Sequence, residues 1–268
     1  MNVEKYNVNF KKKYGQNFLK DVNIVDKILK TSDIDNHSLV IEVGPGGAIM
    51  TTKMAKLAKN VVAYEIDKEL EGELSKKIKD YNNIEIIYKD FLTCDLDKDI
   101  SKYNYEKLLF ISNVPYYITT PIINKLLSSN LYFDNITMMV QKELGERISS
   151  SPGSRDYGAI TVLLNYYYEI KKQFEVSRKS FIPEPNVDSM IISFKEKKNK
   201  LYLKDIDLFK KIVKDSFQFK RKNIRNNLHN YDLEIVSDVL KKYNYDLTVR
   251  SEKLELEVFV DLANSLYE

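Results

Sequence analysis

The sequence predicts an α/β fold, a mostly parallel sheet of seven strands over residues 1–198, followed by a small all-helical domain over residues 199–268. Three observations predict it. Short apolar runs alternate with helix-spaced segments, the pattern that builds parallel sheets. The first of these runs passes directly into Gly44-Pro45-Gly46-Gly47 and then a helix, the opening unit of a nucleotide-binding sheet. Beyond residue 200 the runs give way to helical spacing alone, at Leu208, Ile212 and Val213, at Leu233, Val236, Val239 and Leu240, and at Val258, Phe259 and Leu262.

Taken in order, a basic leader ends in Gly15-Gln16-Asn17-Phe18-Leu19, and Asp21 is placed to cap a helix over 22–29. The first strand is 38–43, and a helix over 50–58 follows the glycine turn. A second strand, Val61 to Asp67, puts Glu65 about twenty residues after the first glycine, where a carboxylate can accept both hydroxyls of a ribose. The third, Ile84 to Tyr88, ends at Asp90-Phe91. Asp90 is either a strand-end cap or an acceptor for a ring amine, with Phe91 or Ile66 covering the ring. The fourth, Leu108 to Ile111, stops at Asn113-Val114-Pro115-Tyr116, because proline cannot continue the ladder.

A helix over 121–128, a strand over 136–140, a helix through Arg147 and a Pro/Gly/Ser loop over 151–158 come next. A helix over 160–168 leads to two closing strands, 170–176 and 189–194. They are joined by Phe181-Ile182-Pro183-Glu184-Pro185, whose prolines hold Phe181 in one orientation, as a presented ring or as a core plug.

Composition narrows the function. Cys94 is the only cysteine and the two histidines are far apart, so the expectation is a reducing, cytoplasmic setting with no disulfide and no metal. No run approaches the length of a membrane span, and no apolar signal core is visible at the N-terminus. The net charge is only +3, yet residues 195–225 carry twelve Lys/Arg against four Asp/Glu, a bias that suits a polyanionic partner. The stretch Lys210 to Arg225 reads as a basic helix with Phe217 and Phe219 beside it.

The Asn113–Tyr116 loop suits group transfer to an exocyclic amine. Conjugation into the ring makes such a nitrogen a weak nucleophile. An amide oxygen and a backbone carbonyl beside Pro115 can accept its N–H bonds, and an aromatic ring can stack on the base.

With these motifs assembled, and with Gln141-Lys142-Glu143, Pro152 to Gly158, Phe181 to Ser189, Arg250 and Glu252 in the same order, the chain resembles the ribosomal RNA adenine dimethyltransferases of the small-subunit, KsgA type. The resemblance implies a Rossmann-like S-adenosylmethionine-dependent methyltransferase sheet. It implies N6,N6-dimethylation of two adjacent adenosines near the 3′ end of 16S rRNA, by a monomer acting on the 30S subunit or its precursor during ribosome biogenesis. It implies that Asn17, Leu19, Gly44, Gly46, Glu65, Ile66, Asp90, Phe91 and Asn113 contact the cofactor. Asn113, Pro115 and Tyr116 would hold the target amine, and Phe181 would stack on the extruded base. One departure stands out: Ala48 occupies a position where the family usually has glycine, beside Gly47. The alternatives are an Erm-type enzyme acting on 23S rRNA and a noncatalytic ribosome-assembly protein.

Overall fold

The computed structural model describes residues 17–267; Lys11 to Lys13, Gly15 and Gln16 lie outside the described residues. The elements, in chain order, are β1 (Phe18–Leu19), α1 (Val22–Lys30), β2 (Ser38–Val43), α2 (Ile49–Ala55), β3 (Asn60–Tyr64), α3 (Glu71–Ile78), β4 (Ile84–Ile87), α4 (Leu96–Ile100), β5 (Lys107–Asn113) and α5 (Thr119–Ser128). They continue with β6 (Asn135–Gln141), α6 (Lys142–Ile148), α7 (Ala159–Tyr167), β7 (Tyr168–Val176), β8 (Phe181–Ile182), β9 (Ser189–Glu196), α8 (Ile206–Ser216), α9 (Ile224–Asn227), α10 (Leu233–Lys242) and α11 (Leu256–Ser265).

A seven-stranded sheet runs β4-β3-β2-β5-β6-β9-β7, and its first four pairings, from β4 to β6, are parallel. All seven predicted strands are in it. Every residue of β2 is buried, as is the interior of β5, which explains their continuous apolar runs: a strand covered on both faces has no solvent side to keep polar. The chain leaves β2 toward β3 and β4 on one side, whereas β5 and β6 fill the other. The strand order therefore reverses between the parallel neighbours β2 and β5, and a crevice opens at their carboxyl ends. Gly44 and Asn113 stand at those two ends.

β1 pairs antiparallel with β8, setting Leu19 opposite Phe181. Asp21 caps α1 as its sequence position suggests, accepting the Asn23 N–H at 2.9 Å. Asp205 and Asp232 cap α8 and α10 in the same way. Helices α3 and α4 were not anticipated. The first buries only Leu74 and the second is five residues long, so neither has a readable apolar stripe.

The chain forms two compact units, one running to Gly145 and resuming at Lys172–Phe194, the other made of Glu146–Lys171 and the chain from Lys195. The expected division after residue 198 left α7 with the sheet. In the structure Tyr157, Val162 and Tyr166 share an apolar cluster with Phe209, Val213 and Phe259, which places α7 in the C-terminal unit. Periodicity shows that α7 has a buried face but not which core buries it. One apolar cluster of the first unit joins Val40, Leu109 and Ile111 of the sheet to Val25, Leu29, Met50 and Met54 of α1 and α2. The basic stretch 210–225 is not one helix: α8 stops at Ser216, and Lys220, Arg221 and Lys222 occupy the turn before α9. Among the described residues no helix is long and apolar enough to cross a membrane, and no cluster of three metal-ligating side chains occurs.

Candidate active site

A cavity of 370 Å³, the size of a small-molecule site, opens in the crevice within the first unit. Its wall is formed by successive strand ends: Gly44 and Gly46 after β2, Glu65 and Ile66 after β3, Asp90 and Phe91 after β4, and Asn113, Pro115 and Tyr116 after β5. Asn17 and Leu19 close it from the N-terminal side. Of the residues singled out from sequence, Phe181 alone is absent from this wall.

The glycine turn is shaped for close approach. Gly44 and Gly46 have φ of +73° and +51°, and a Cβ on Gly46 would stand 2.5 Å from the Phe18 ring that lies against it. Ala48 also adopts a left-handed conformation, φ +58°, but it is 1% exposed and packs with Leu70 and Leu74. Its methyl group therefore faces the core and is not part of the cavity wall. The strain of a left-handed alanine, about 1–2 kcal/mol, is partly offset by that burial.

Glu65 is 4% exposed and accepts the Asp67 N–H at 2.9 Å. Burial pushes its carboxyl above the ordinary range, while the N–H groups of Asp67, Gly46 and Ile66 pull it back. Asp90 is a strand-end cap, its Oδ1 accepting the Leu92 N–H of the following 3-10 turn at 2.9 Å, and the residue also lines the cavity. Phe91 forms the apolar wall nearby, held edge-on by Tyr64 at 5.1 Å between centroids. Ile66, an exposed residue, also lines the cavity.

At the reacting loop, the Asn113 amide donates from Nδ2 to the Asn17 carbonyl, 3.3 Å. That bond orients the amide and leaves Oδ1 as the free acceptor. The Tyr116 hydroxyl pairs with Ser189 Oγ at 2.6 Å, and burial raises the phenol pKa, so the ring is pinned and neutral. Pro115 follows in the same stretch of cavity wall. Its carbonyl already accepts the Ile118 N–H, 3.1 Å, and the Thr119 hydroxyl, 3.4 Å, as the chain enters α5. Among the described residues no donor reaches the Val114 carbonyl, which is therefore left with its acceptor capacity unused.

Phe181 also departs from the stacking role. It is 2% exposed and packs among Leu19, Val25, Met50 and Met139, where no base can lie against it. Of the two readings of the stiff Pro183–Pro185 joint, the core plug describes its position.

Sequence reading passed over Glu42, which is 1% exposed and also lines the cavity. Burial pushes its carboxyl up to about 8, opposed by the Thr51 hydroxyl, 2.7 Å from Oε2, and reinforced by the charge of Glu65. The only available signal was a lone acid inside an apolar strand. Below pH 4.5 the group is protonated both folded and unfolded. From there toward pH 8 only the unfolded chain loses the proton, so its contribution to stability drains away with rising pH. Glu42→Gln, which keeps an acceptor for Thr51, is expected to remove that slope. Thermal melts of both proteins from pH 5 to 8 should diverge, with the variant gaining at the alkaline end; parallel curves would show that Glu42 is charged when folded.

The family model for ribosomal RNA adenine dimethylase matches residues 7–268. The chain is similar to ribosomal RNA small subunit methyltransferase A of Bacillus mycoides, 39% identical over 98% of this chain and 94% of that one, and equally to the protein of that name from Bacillus cereus. Among solved structures it is similar to a dimethyladenosine transferase from Plasmodium falciparum, with a TM-score of 0.78 and 27% identity over 91% of this chain and 95% of that one. It is also similar to the 23S rRNA methyltransferase ErmE, with a TM-score of 0.73 and 27% identity over 93% and 99%.

Proposed function

The chain belongs to the ribosomal RNA adenine dimethylase family, and from that premise we propose that it transfers methyl groups from S-adenosylmethionine to the N6 amines of two adjacent adenosines near the 3′ end of 16S rRNA. One observation carries the reading: a single cavity joins Gly44, Glu65 and Asp90, suited to an adenosine cofactor, to Asn113, Val114 and Tyr116, suited to an adenine amine. The relatives at 39% identity carry the small-subunit name, which favours 16S over 23S rRNA as the substrate.

The cofactor's residues fit what such a group needs. The turn at Gly44 and Gly46 lets backbone approach the methionine end, Glu65 accepts the ribose hydroxyls, and Asp90 with Phe91 and Ile66 takes the adenine. S-adenosylmethionine supplies an already activated methyl group, so the protein needs neither a metal nor a covalent intermediate. Asn113 Oδ1 and the Val114 carbonyl accept the two N–H bonds of the target amine and favour its pyramidal, nucleophilic form. Tyr116, held by Ser189, supplies the ring that offsets the cost of extruding the base.

The RNA-binding surface is assigned to the C-terminal unit. Lys214, Lys220, Arg221, Lys222 and Arg225 are exposed and form no salt bridge among the described residues, while Lys211 is engaged by Asp215 and Tyr231. Phe219, 50% exposed, stands among them. Removing Lys220 and Arg221 together is expected to weaken RNA binding across sequences and to flatten the salt dependence of log Kobs by about 0.7 per lost phosphate contact. Filter binding from 50 to 300 mM salt reads this directly, and an unchanged slope would move the interface elsewhere.

The substrate assignment is tested with labelled S-adenosylmethionine offered to undermethylated 30S particles and, in a parallel reaction, to unmodified 23S RNA. Dimethyladenosine in the 3′-terminal loop supports it. Label confined to 23S RNA would make the enzyme Erm-like, and 30S binding without label would make it an assembly protein.

A further inference from the structure

Lys125, on the outer half of α5, is set apart by its partners. Its ammonium donates to the Leu92 carbonyl at 3.1 Å and the Cys94 carbonyl at 2.6 Å, and lies 5.7 Å from the centroid of the Phe91 ring. It forms no carboxylate ion pair among the described residues. An exposed lysine ordinarily keeps its head in water; here the charge is spent on two backbone carbonyls of one short turn. That turn is Phe91–Thr93, opened by Asp90 and closed by Cys94. It is also tied from within, because the Asp90 carbonyl accepts the Thr93 hydroxyl at 2.9 Å and the Cys94 thiol at 3.3 Å.

The turn carries the two residues assigned to the adenine of the cofactor, and no long secondary-structure element holds it. The helix that braces it begins at Thr119, three residues after Tyr116. One side chain thus links the adenine end of the cavity to the segment leaving the reacting loop.

We propose that Lys125 is a positioning residue that holds the Asp90–Phe91 turn in the form that selects adenine. The inference rests on the reading of Asp90 and Phe91 as the adenine subsite. It concerns binding selectivity, so it can be read without turnover.

Calorimetric titration of the full chain and of Lys125→Met with S-adenosylhomocysteine and S-inosylhomocysteine tests it. A site built to bond an amine rejects the analogue that lacks it, so the wild type is expected to prefer the adenosyl ligand by at least about 10-fold. In Lys125→Met adenosyl affinity should fall about 10-fold, the worth of one charge-assisted hydrogen bond. Inosyl affinity should hardly change, so the preference collapses. Lys125→Arg, which can still donate to both carbonyls, should restore it.

A wild type without preference would remove the adenine reading, and the proposal with it. A wild type that discriminates and a Lys125→Met that discriminates equally would overturn the proposal and leave the reading standing. Equal weakening toward both ligands would reduce Lys125 to a general stabiliser and also overturn it. Should Lys125→Met fail to fold, Lys125→Leu, which also lacks a donor, carries the same comparison.

Discussion

Asn113→Ala is expected to lower kcat for methyl transfer by about 10²–10³-fold, the usual cost of removing one preorganised group aimed at developing charge. Among the described residues the side chain makes one hydrogen bond, Nδ2 to the Asn17 carbonyl at 3.3 Å, and it is half-buried. Loss of so long a bond costs folding no more than about 1 kcal/mol. Catalysis and stability should therefore separate. Single-turnover kinetics on undermethylated 30S particles, set beside a thermal melt, measures both. A variant that loses activity only in proportion to its folded fraction would make Asn113 structural. Asn113→Asp, which replaces the Nδ2 donor with a second acceptor, should also fail, because the Asn17 carbonyl would then face an acceptor and the side chain would turn.

The second large effect is expected at Glu65. Two hydroxyl groups bonded to one carboxylate are worth about 1.5 kcal/mol each or more, so Glu65→Ala should weaken S-adenosylhomocysteine binding about 100-fold or beyond. The effect has a pH signature. Burial raises the Glu65 pKa, so the carboxylate that the proposed ribose contact needs forms at a higher pH than an exposed glutamate would require. Affinity in the wild type should rise with pH through a region above 4.5 and then level off, and Glu65→Gln should show weak binding without that rise. Titration calorimetry from pH 5 to 8 checks both. A wild-type affinity that is flat with pH would mean that Glu65 is ionised throughout.

The two predictions divide the cavity between them. On the proposed roles, Asn113 would bond the reacting nitrogen and should alter kcat, whereas Glu65 would bond the ribose and should alter cofactor binding. Gly44 and Asn113 come together because β2 and β5 are neighbours at the reversal of the sheet. That adjacency follows from the topology of a doubly wound sheet, so it was legible once each motif had been assigned to a strand end.

What the sequence determined by itself is local. The strands, the left-handed glycine turn, the acids at strand ends and the proline stop after Asn113 are each specified by neighbours in the chain, through burial period and backbone sterics, and they suffice to locate the site. What tertiary structure decided depends on groups far apart in sequence. The Asn113 amide is set by a carbonyl 96 residues away and Tyr116 by a hydroxyl 73 residues away. Packing against Leu19 and Met139 takes Phe181 into the core, and the second apolar cluster claims α7. Even the pairing of the Pro115 carbonyl, with the Val114 carbonyl left unpaired among the described residues, follows from how α5 begins. A hydrophobic pattern states that a face will be buried, but the partner that buries it, and the direction in which a polar atom is left pointing, exist only once the chain has closed on itself.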